Sequence, residues 1–326
     1  MKRTPSLIGI VGPTASGKSE LALALGRTWP VEILVADSRQ VYRGMDIGTA
    51  KPNTAARAAV PHHLLDLVDP DTSFSVAQWV ALARSLIPQI ADRGRIPMVV
   101  GGTGLYVAGL LDGHDYGSQP FPAELRARLA SQLAADGLGP LATRLRAVDP
   151  VTAERTDLHN PRRVLRALER AEMGSGGVRR SNQPYGGRLA LIGIDRPRDV
   201  LYRRIDERTA EFFATGLLGE VRGLLEAGMR ADMRPMTGHG YQEAARHLAG
   251  EWSLDQAVEV TALRTRQYAK RQLSWFRRDP RIEWLPAGDD PADSQDVVTR
   301  GERVLRVTLD AGPAEHVQAI RYHEPR

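Results

Sequence analysis

The chain contains no cysteine. That absence excludes disulfides, thiolate nucleophiles and Cys-ligated zinc, and it fits a reducing, cytoplasmic setting. Long apolar runs are also missing, since no stretch approaches the length of a membrane span, so no membrane association is expected. The opening MKRTPSLIGIVGP has a short apolar run that leads straight into a glycine loop. It is too short for a signal-peptide core and reads as a first β-strand. No large excess of one charge exists either. Against 39 Asp and Glu stand 44 Lys and Arg, a net +5. That total by itself does not require a nucleic-acid partner; the distribution of the charge matters more.

What is present is the balance of a globular protein with a core. Apolar residues make up 42% of 326 and charged residues 25%, enough for two ordinary domains or one large one with an insertion. SLIGIVG, VEILVA and IPMVVGG read as buried strands, bounded by Gly, Pro or Asp. SELALALGRT and FSVAQWVALARSLIPQIADRG carry helical periodicity between them, and this alternation predicts a parallel sheet flanked by helices, with ligands beyond the carboxyl ends of its strands. From about Phe121 the texture turns to Ala-, Leu- and Arg-rich helices: PAELRARLASQLAADG, LATRLRAVDPVTAERT and NPRRVLRALERAEM. GSGGVRRSNQPYGG reads as a flexible loop, after which LALIGID returns to strand character. Two long helices, roughly 198–227 and 253–278, a last strand RIEWLP and a helix with a polar tail complete the chain. The expected fold is α/β, a P-loop NTPase-like parallel sheet (1–118 and 188–326) interrupted by an all-helical insertion (119–187).

Gly12, Pro13, Thr14, Ala15, Ser16, Gly17, Lys18 and Ser19 fit G-x-x-x-x-G-K-[ST] between a strand and a helix. Glycines let backbone amides curl around phosphate oxygens, Lys18 adds a point charge, and the Ser19 hydroxyl can reach Mg²⁺. The strand IPMVV runs into Gly-Gly-Thr-Gly without the carboxylate that a P-loop ATPase carries there. Thr103 in that turn could donate to a phosphate, or simply shape a tight strand-to-helix turn. An acid stands instead after the second strand, in ADSRQVY. Asp37 could accept a proton from a nucleophile approaching the phosphate. It could equally cap a helix, and the local pattern leaves both readings open.

Arg162, Arg163 and Arg166 share one short helix, with Arg179 and Arg180 in the loop that follows. The last long helix holds Arg264, Arg266, Lys270, Arg271, Arg277 and Arg278, with no acid between Val260 and Arg278 and with Tyr268, Trp275 and Phe276 interleaved. A charge run is usually a solvated helix face, but two runs lacking acids, with rings for stacking, point to RNA or DNA. Three further features read as bland. His62 and His63 are adjacent and lack metal-ligand spacing. DDPAD (289–293) reads as a solvated acidic turn. Trp29, Trp79 and Trp252 read as core or capping residues.

GPTASGKS, DSRQVYRGMDIGTAKP, VPHHLLDLVDP, FSVAQW, GRIPMVVGGTGLY and RTRQYAKRQLSWFRR together closely resemble the tRNA dimethylallyltransferase family in its bacterial form, in order from residue 8 to about 286. The resemblance implies transfer of a dimethylallyl group from dimethylallyl diphosphate to N6 of adenosine 37, beside the tRNA anticodon, with release of diphosphate and with Mg²⁺ as cofactor. It implies that the P-loop holds diphosphate rather than ATP, that Asp37 is the general base, and that Thr103 lies at the diphosphate and base pocket. Arg208 would reach the diphosphate from the opposite wall. Ser38, Arg39 and Gln40 would contact tRNA, as would Arg126 and the stretch Arg162, Arg163, Val164, Leu165 and Arg166. The partner would be the anticodon stem-loop, and the enzyme a monomer. His239, in MTGHGYQEA, stands where the family usually shows isoleucine, and TDLHNPRR varies its usual HPND-x-RR form. A nucleotide or small-molecule kinase and a non-catalytic P-loop RNA-binding module are the competing readings.

Overall fold

The computed structural model describes residues 4–113, 122–174 and 183–310. Six strands build one sheet: β1 (Leu7–Val11), β2 (Val31–Val35), β3 (His62–His63), β4 (Ile96–Gly101), β5 (Leu189–Asp195) and β6 (Ile282–Pro286). Their order is β3-β2-β4-β1-β5-β6, and every pairing is parallel. β1 and β2 are buried at every residue, because helices cover both faces of a parallel sheet. The two-residue side-chain period sorts β1 accordingly. Leu7 and Val11 enter one core cluster, Ile8 and Ile10 the other. Gly9 has no side chain because a Cβ there would lie 2.3 Å from Leu191 Cδ2.

β1 lies inside the sheet between β4 and β5, while β2, next in sequence, lies beyond β4. The crossover opens a crevice at the carboxyl ends of the strands, where the loops after β1, β2 and β4 converge. Helix α1 (Lys18–Leu25) leaves the first of them, α2 (Thr54–Ala59) and α3 (Val76–Asp92) follow β2 and β3, and α4 (Gly104–Leu111) leaves β4 directly. A capping box starts α3, with Ser75 Oγ accepting from Gln78 N, which satisfies amides that the first turn leaves open. Trp79 on α3 is fully buried, donates to Val35 O at 2.9 Å and stacks on Tyr106 at 4.8 Å, a core role as expected.

The chain divides into two compact units, Met1–His114 with Pro184–Arg326, and Asp115–Gln183. The second contains α5 (Ala123–Asp136), α6 (Leu138–Val148), α7 (Pro150–Arg155) and α8 (Pro161–Glu172) around its own core of Leu129, Leu141, Leu145, Val164 and Leu168. LATRLRAVDPVTAERT is two helices rather than one. Asp149 caps the second by accepting from Thr152 N at 3.0 Å, and Pro150 takes the first helical position, where its missing N–H costs nothing. The expected loop arginines Arg179 and Arg180 lie outside the described residues.

In the first unit, β5 leads to α9 (Arg198–Thr215) and α10 (Leu217–Glu226), then α11 (Tyr241–Leu248), α12 (Leu254–Phe276), β6 and α13 (Pro291–Asp310). The single helix expected over 198–227 is broken at Gly216, whose φ of +131° no ordinary helical residue adopts. Among the described residues no helix is long and apolar enough to cross a membrane.

Candidate functional site

The P-loop curls between β1 and α1 with Gly12 at φ 131°, Ala15 at 62° and Gly17 at 101°. This left-handed backbone is what turns successive amides toward one point. Ser16 is fully buried and its Oγ has no hydrogen-bond partner, a donor held ready inside the loop. Lys18 Nζ donates to Pro13 O. Burial, and next the guanidinium of Arg208, push Lys18 down to about 7. Arg208, from α9, donates to Thr14 Oγ1, and burial lowers its own basicity too.

Thr14, Ala15, Gly17, Lys18 and Ser19 of the loop line one cavity of about 470 Å³ together with Asp37, Arg204 and Arg208, and Gly101, Gly102, Tyr268 and Gln272 add to its wall. Asp37 follows β2. Its Oδ1 accepts from Arg39 N at 2.8 Å and Gln40 N at 3.4 Å, so the carboxylate orders a turn, and Asp37 also lines the cavity; no helix starts at this point, so the helix-cap reading gives way to a turn. Thr103 stands at the start of α4 without capping it. Its Oγ1 accepts instead from Ser38 N at 3.1 Å, which ties the loops after β2 and β4 together. Tyr268 is pushed up to about 12 by burial and then by the charge of Asp37, a hydrogen bond with Thr103 acting against both. It therefore stays a neutral phenol. The ring of His239 packs edge-on against it at 5.3 Å. Burial and three arginines push His239 down to about 4, so a neutral imidazole stands where the family usually shows isoleucine.

Gln272 was not singled out in the sequence, yet it joins two walls of the site. Its Oε1 accepts from Thr14 N at 2.8 Å, and its Nε2 donates to Gly102 O at 2.9 Å. Gly102 must lack a Cβ, which would lie 2.1 Å from that Nε2. The available signal was position: Gln272 shares the buried face of α12 with Ala262, Ala269 and Phe276, where a polar residue needs partners.

Tertiary structure divides the expected RNA contacts. Arg39 is engaged by Arg234 O and, at 3.1 Å, Pro235 O. Gln40 donates to Thr49 O at 2.8 Å. Arg264 is paired with the fully buried Glu243 and Arg266 with Asp206. Arg277 pairs with Asp195. The helix has no acid of its own there, but neighbouring elements supply them. Lys270 and Arg271 remain exposed on α12, beside Ser274 and the 43%-exposed Trp275, and Arg278 is exposed in the turn that follows the helix; Arg271 lies over the Tyr268 ring at 5.8 Å. In the helical unit Arg162 and Arg163 are exposed at the start of α8. Arg126 and Arg166 share Glu169 at 3.2 and 3.1 Å. Val164 is fully buried and Leu165 packs against the same core, so the side chains of these two serve the packing of the helical unit.

The bland features resolve as well. His62 and His63 form β3 and bond to Val60 O and Glu32, and no group of metal-ligating side chains occurs among the described residues. DDPAD is not merely solvated, because Asp289 pairs with Arg203 and Arg204.

Comparison with known proteins agrees with this geometry. The IPP transferase family matches residues 40–279. A tRNA dimethylallyltransferase of Roseiflexus castenholzii is 45% identical over 307 residues, covering 94% of this chain and 99% of the relative. The crystal structure of the full-length tRNA isopentenylpyrophosphate transferase of Bacillus halodurans aligns with a TM-score of 0.68 at 36% identity, over 94% of this chain and 98% of that one. A eukaryotic dimethylallyltransferase acting on tRNA shares the fold, with a TM-score of 0.76 at 24% identity over 94% of this chain and 79% of its own. The family match from residue 40 to 279, which takes in the whole of α12, and a relative 45% identical over 94% of the chain show that it belongs to the IPP transferase family.

Proposed function

We propose that the protein transfers a dimethylallyl group from dimethylallyl diphosphate to N6 of adenosine 37 in tRNA, releasing diphosphate. The observation that carries this reading is the shared cavity: Lys18 and Arg208 stand with the P-loop amides, and Asp37 faces the same space. An allylic diphosphate needs its leaving group stabilised as the C1–O bond breaks. Lys18, Arg208, Ser16 Oγ and the loop amides supply donors and charge for that. N6 attacks C1, both electrons of the C1–O bond leave with diphosphate, and Asp37 accepts the proton that N6 gives up. Tyr268 lines the cavity that would receive the adenine, and the Ser38–Thr103 hydrogen bond joins the loops after β2 and β4. The base must leave its stack to reach the donor.

Mg²⁺ suits the chemistry of this donor set. Ser19 lines the cavity and offers a hydroxyl, and a hard cation that keeps several waters needs few protein ligands beyond the substrate's own oxygens; bound there, it would neutralise charge on the leaving diphosphate. Lys270, Arg271 and Arg278 provide cations for the RNA backbone, with Trp275 as a surface on which a base can stack. Arg162 and Arg163 supply further phosphate contacts from the helical unit.

The test uses purified protein, unmodified tRNA with adenosines at positions 36 to 38, Mg²⁺ and dimethylallyl diphosphate, with mass spectrometry of the digested nucleosides. A gain of one C5H8 unit on adenosine, lost when adenosine 37 is replaced, is the expected result. No gain, with ATP consumed against a phosphate acceptor instead, would assign the loop to a kinase.

A further inference from the structure

A loop that turns its amides toward an anion turns its carbonyls the other way, and buried carbonyls need donors of their own. In the P-loop two of these outer carbonyls are taken by arginines from a distant part of the sequence. Arg204 Nε donates to Ala15 O at 3.1 Å, and Arg196 Nε donates to Ser16 O at 2.8 Å. Because the peptide is planar and trans, holding a carbonyl holds the next amide on the opposite side. Arg196 thereby orients the amide of Gly17, while Arg204, itself at the cavity wall, holds the peptide whose Ser16 amide closes the loop onto Pro13 O at 3.4 Å. Local preference does not hold this backbone in place: Ala15 is a non-glycine residue at φ 62°, a conformation that persists only when its surroundings impose it.

The arginines are themselves anchored. Arg196 also donates to Gly288 O. Arg204 reaches Asp289 at 3.5 Å and Glu20 at 3.2 Å, and Asp289 also pairs with Arg203. A Cβ on Gly17 would stand 3.2 Å from Arg196 Nη2 and 2.8 Å from Glu20 Oε2, so the brace needs a glycine there as much as the loop does. The two carboxylates beside Arg204 offset its charge, which makes its contribution chiefly geometric.

We propose that Arg196 and Arg204 are positioning residues of the diphosphate site: by holding the Ser16 and Ala15 carbonyls they fix the P-loop backbone, Arg196 turning the Gly17 amide inward, and the Gly288–Asp289 segment fixes the arginines. The inference rests on the diphosphate reading of the cavity. Arginine's rigid fork suits the task, since Arg196 spans two carbonyls at once, and a lysine cannot reproduce it.

The experiment compares full-length wild type with Arg196→Ala, Arg196→Lys, Arg204→Ala and Asp289→Asn. It measures calorimetric binding of inorganic diphosphate, KM for each substrate, and thermal melting. Each alanine variant should lose about tenfold in diphosphate affinity and raise KM for dimethylallyl diphosphate equally, as expected for one lost charge-assisted hydrogen bond. KM for tRNA should stay within about twofold. Arg196→Lys should behave like Arg196→Ala. Asp289→Asn, on the periphery, should lose affinity in the same direction and decides the matter if an alanine variant fails to fold. Wild-type diphosphate affinity in the folded variants, or full rescue by lysine, overturns the brace. A wild-type protein that neither binds diphosphate nor prenylates tRNA brings down the diphosphate reading and the brace with it, whereas one that does both while the variants match it brings down the brace alone.

Discussion

Lys18 offers a direct test of the site's electrostatics. Burial and Arg208 together bring its ammonium from 10.5 down to about 7, so in the free protein it is about half neutral at pH 7. A bound diphosphate adds negative charge beside it and raises that value again. Binding near neutral pH should therefore take up a proton. The sign follows: affinity has its full Lys18 contribution below pH 7 and loses it at up to about tenfold per pH unit as pH rises from there toward the bound-state value. The ligand's own ionisation works in the opposite direction, and Lys18→Arg removes the titration while keeping a cation. Calorimetry of inorganic diphosphate from pH 6 to 9, in buffers of differing ionisation enthalpy, reads both proton uptake and affinity. Subtracting the Lys18→Arg profile should leave a decline that begins near pH 7. Parallel profiles for the two proteins, without a difference in proton uptake, would refute a depressed Lys18.

Asp37→Asn should slow single-turnover transfer by about a hundredfold or more, the usual contribution of a general base, while tRNA affinity measured by filter binding stays within a few-fold. Gln272→Ala leaves Thr14 N and Gly102 O without partners, each worth about 1–3 kcal/mol if water does not replace the amide; a lower melting temperature and a higher KM for dimethylallyl diphosphate should appear together. Glu243→Gln removes the charge facing Arg264. Because that arginine side chain is 32% exposed, the loss in urea unfolding should be less than the about 3–5 kcal/mol of a fully buried pair. Trp275→Ala should weaken tRNA binding by about 1–3 kcal/mol, the range for one stacked base, with an unchanged melting curve.

The sequence by itself determined every strand but β3, the P-loop and the run of basic residues along α12, because each is a local pattern: a β-branched run, a glycine spacing, an absence of acids; the two-residue β3 carries no such pattern. It also exposed Asp37 and Thr103, which lie directly after strands whose carboxyl ends must meet in a parallel sheet. Helix boundaries were less legible. Gly216 and Pro150 divide segments whose periodicity runs on through them, since a break depends on one backbone angle or one cap. Only the tertiary structure decided which charges are free. Glu243, Asp206 and Asp195 come from other elements to neutralise Arg264, Arg266 and Arg277, leaving Lys270, Arg271 and Arg278 exposed. The same holds for Gln272, Arg196 and Arg204, whose partners lie 258, 180 and 189 residues away. A sequence pattern reports what a residue's neighbours in the chain require of it, while a hydrogen bond across the fold exists only once the sheet has brought the two segments together.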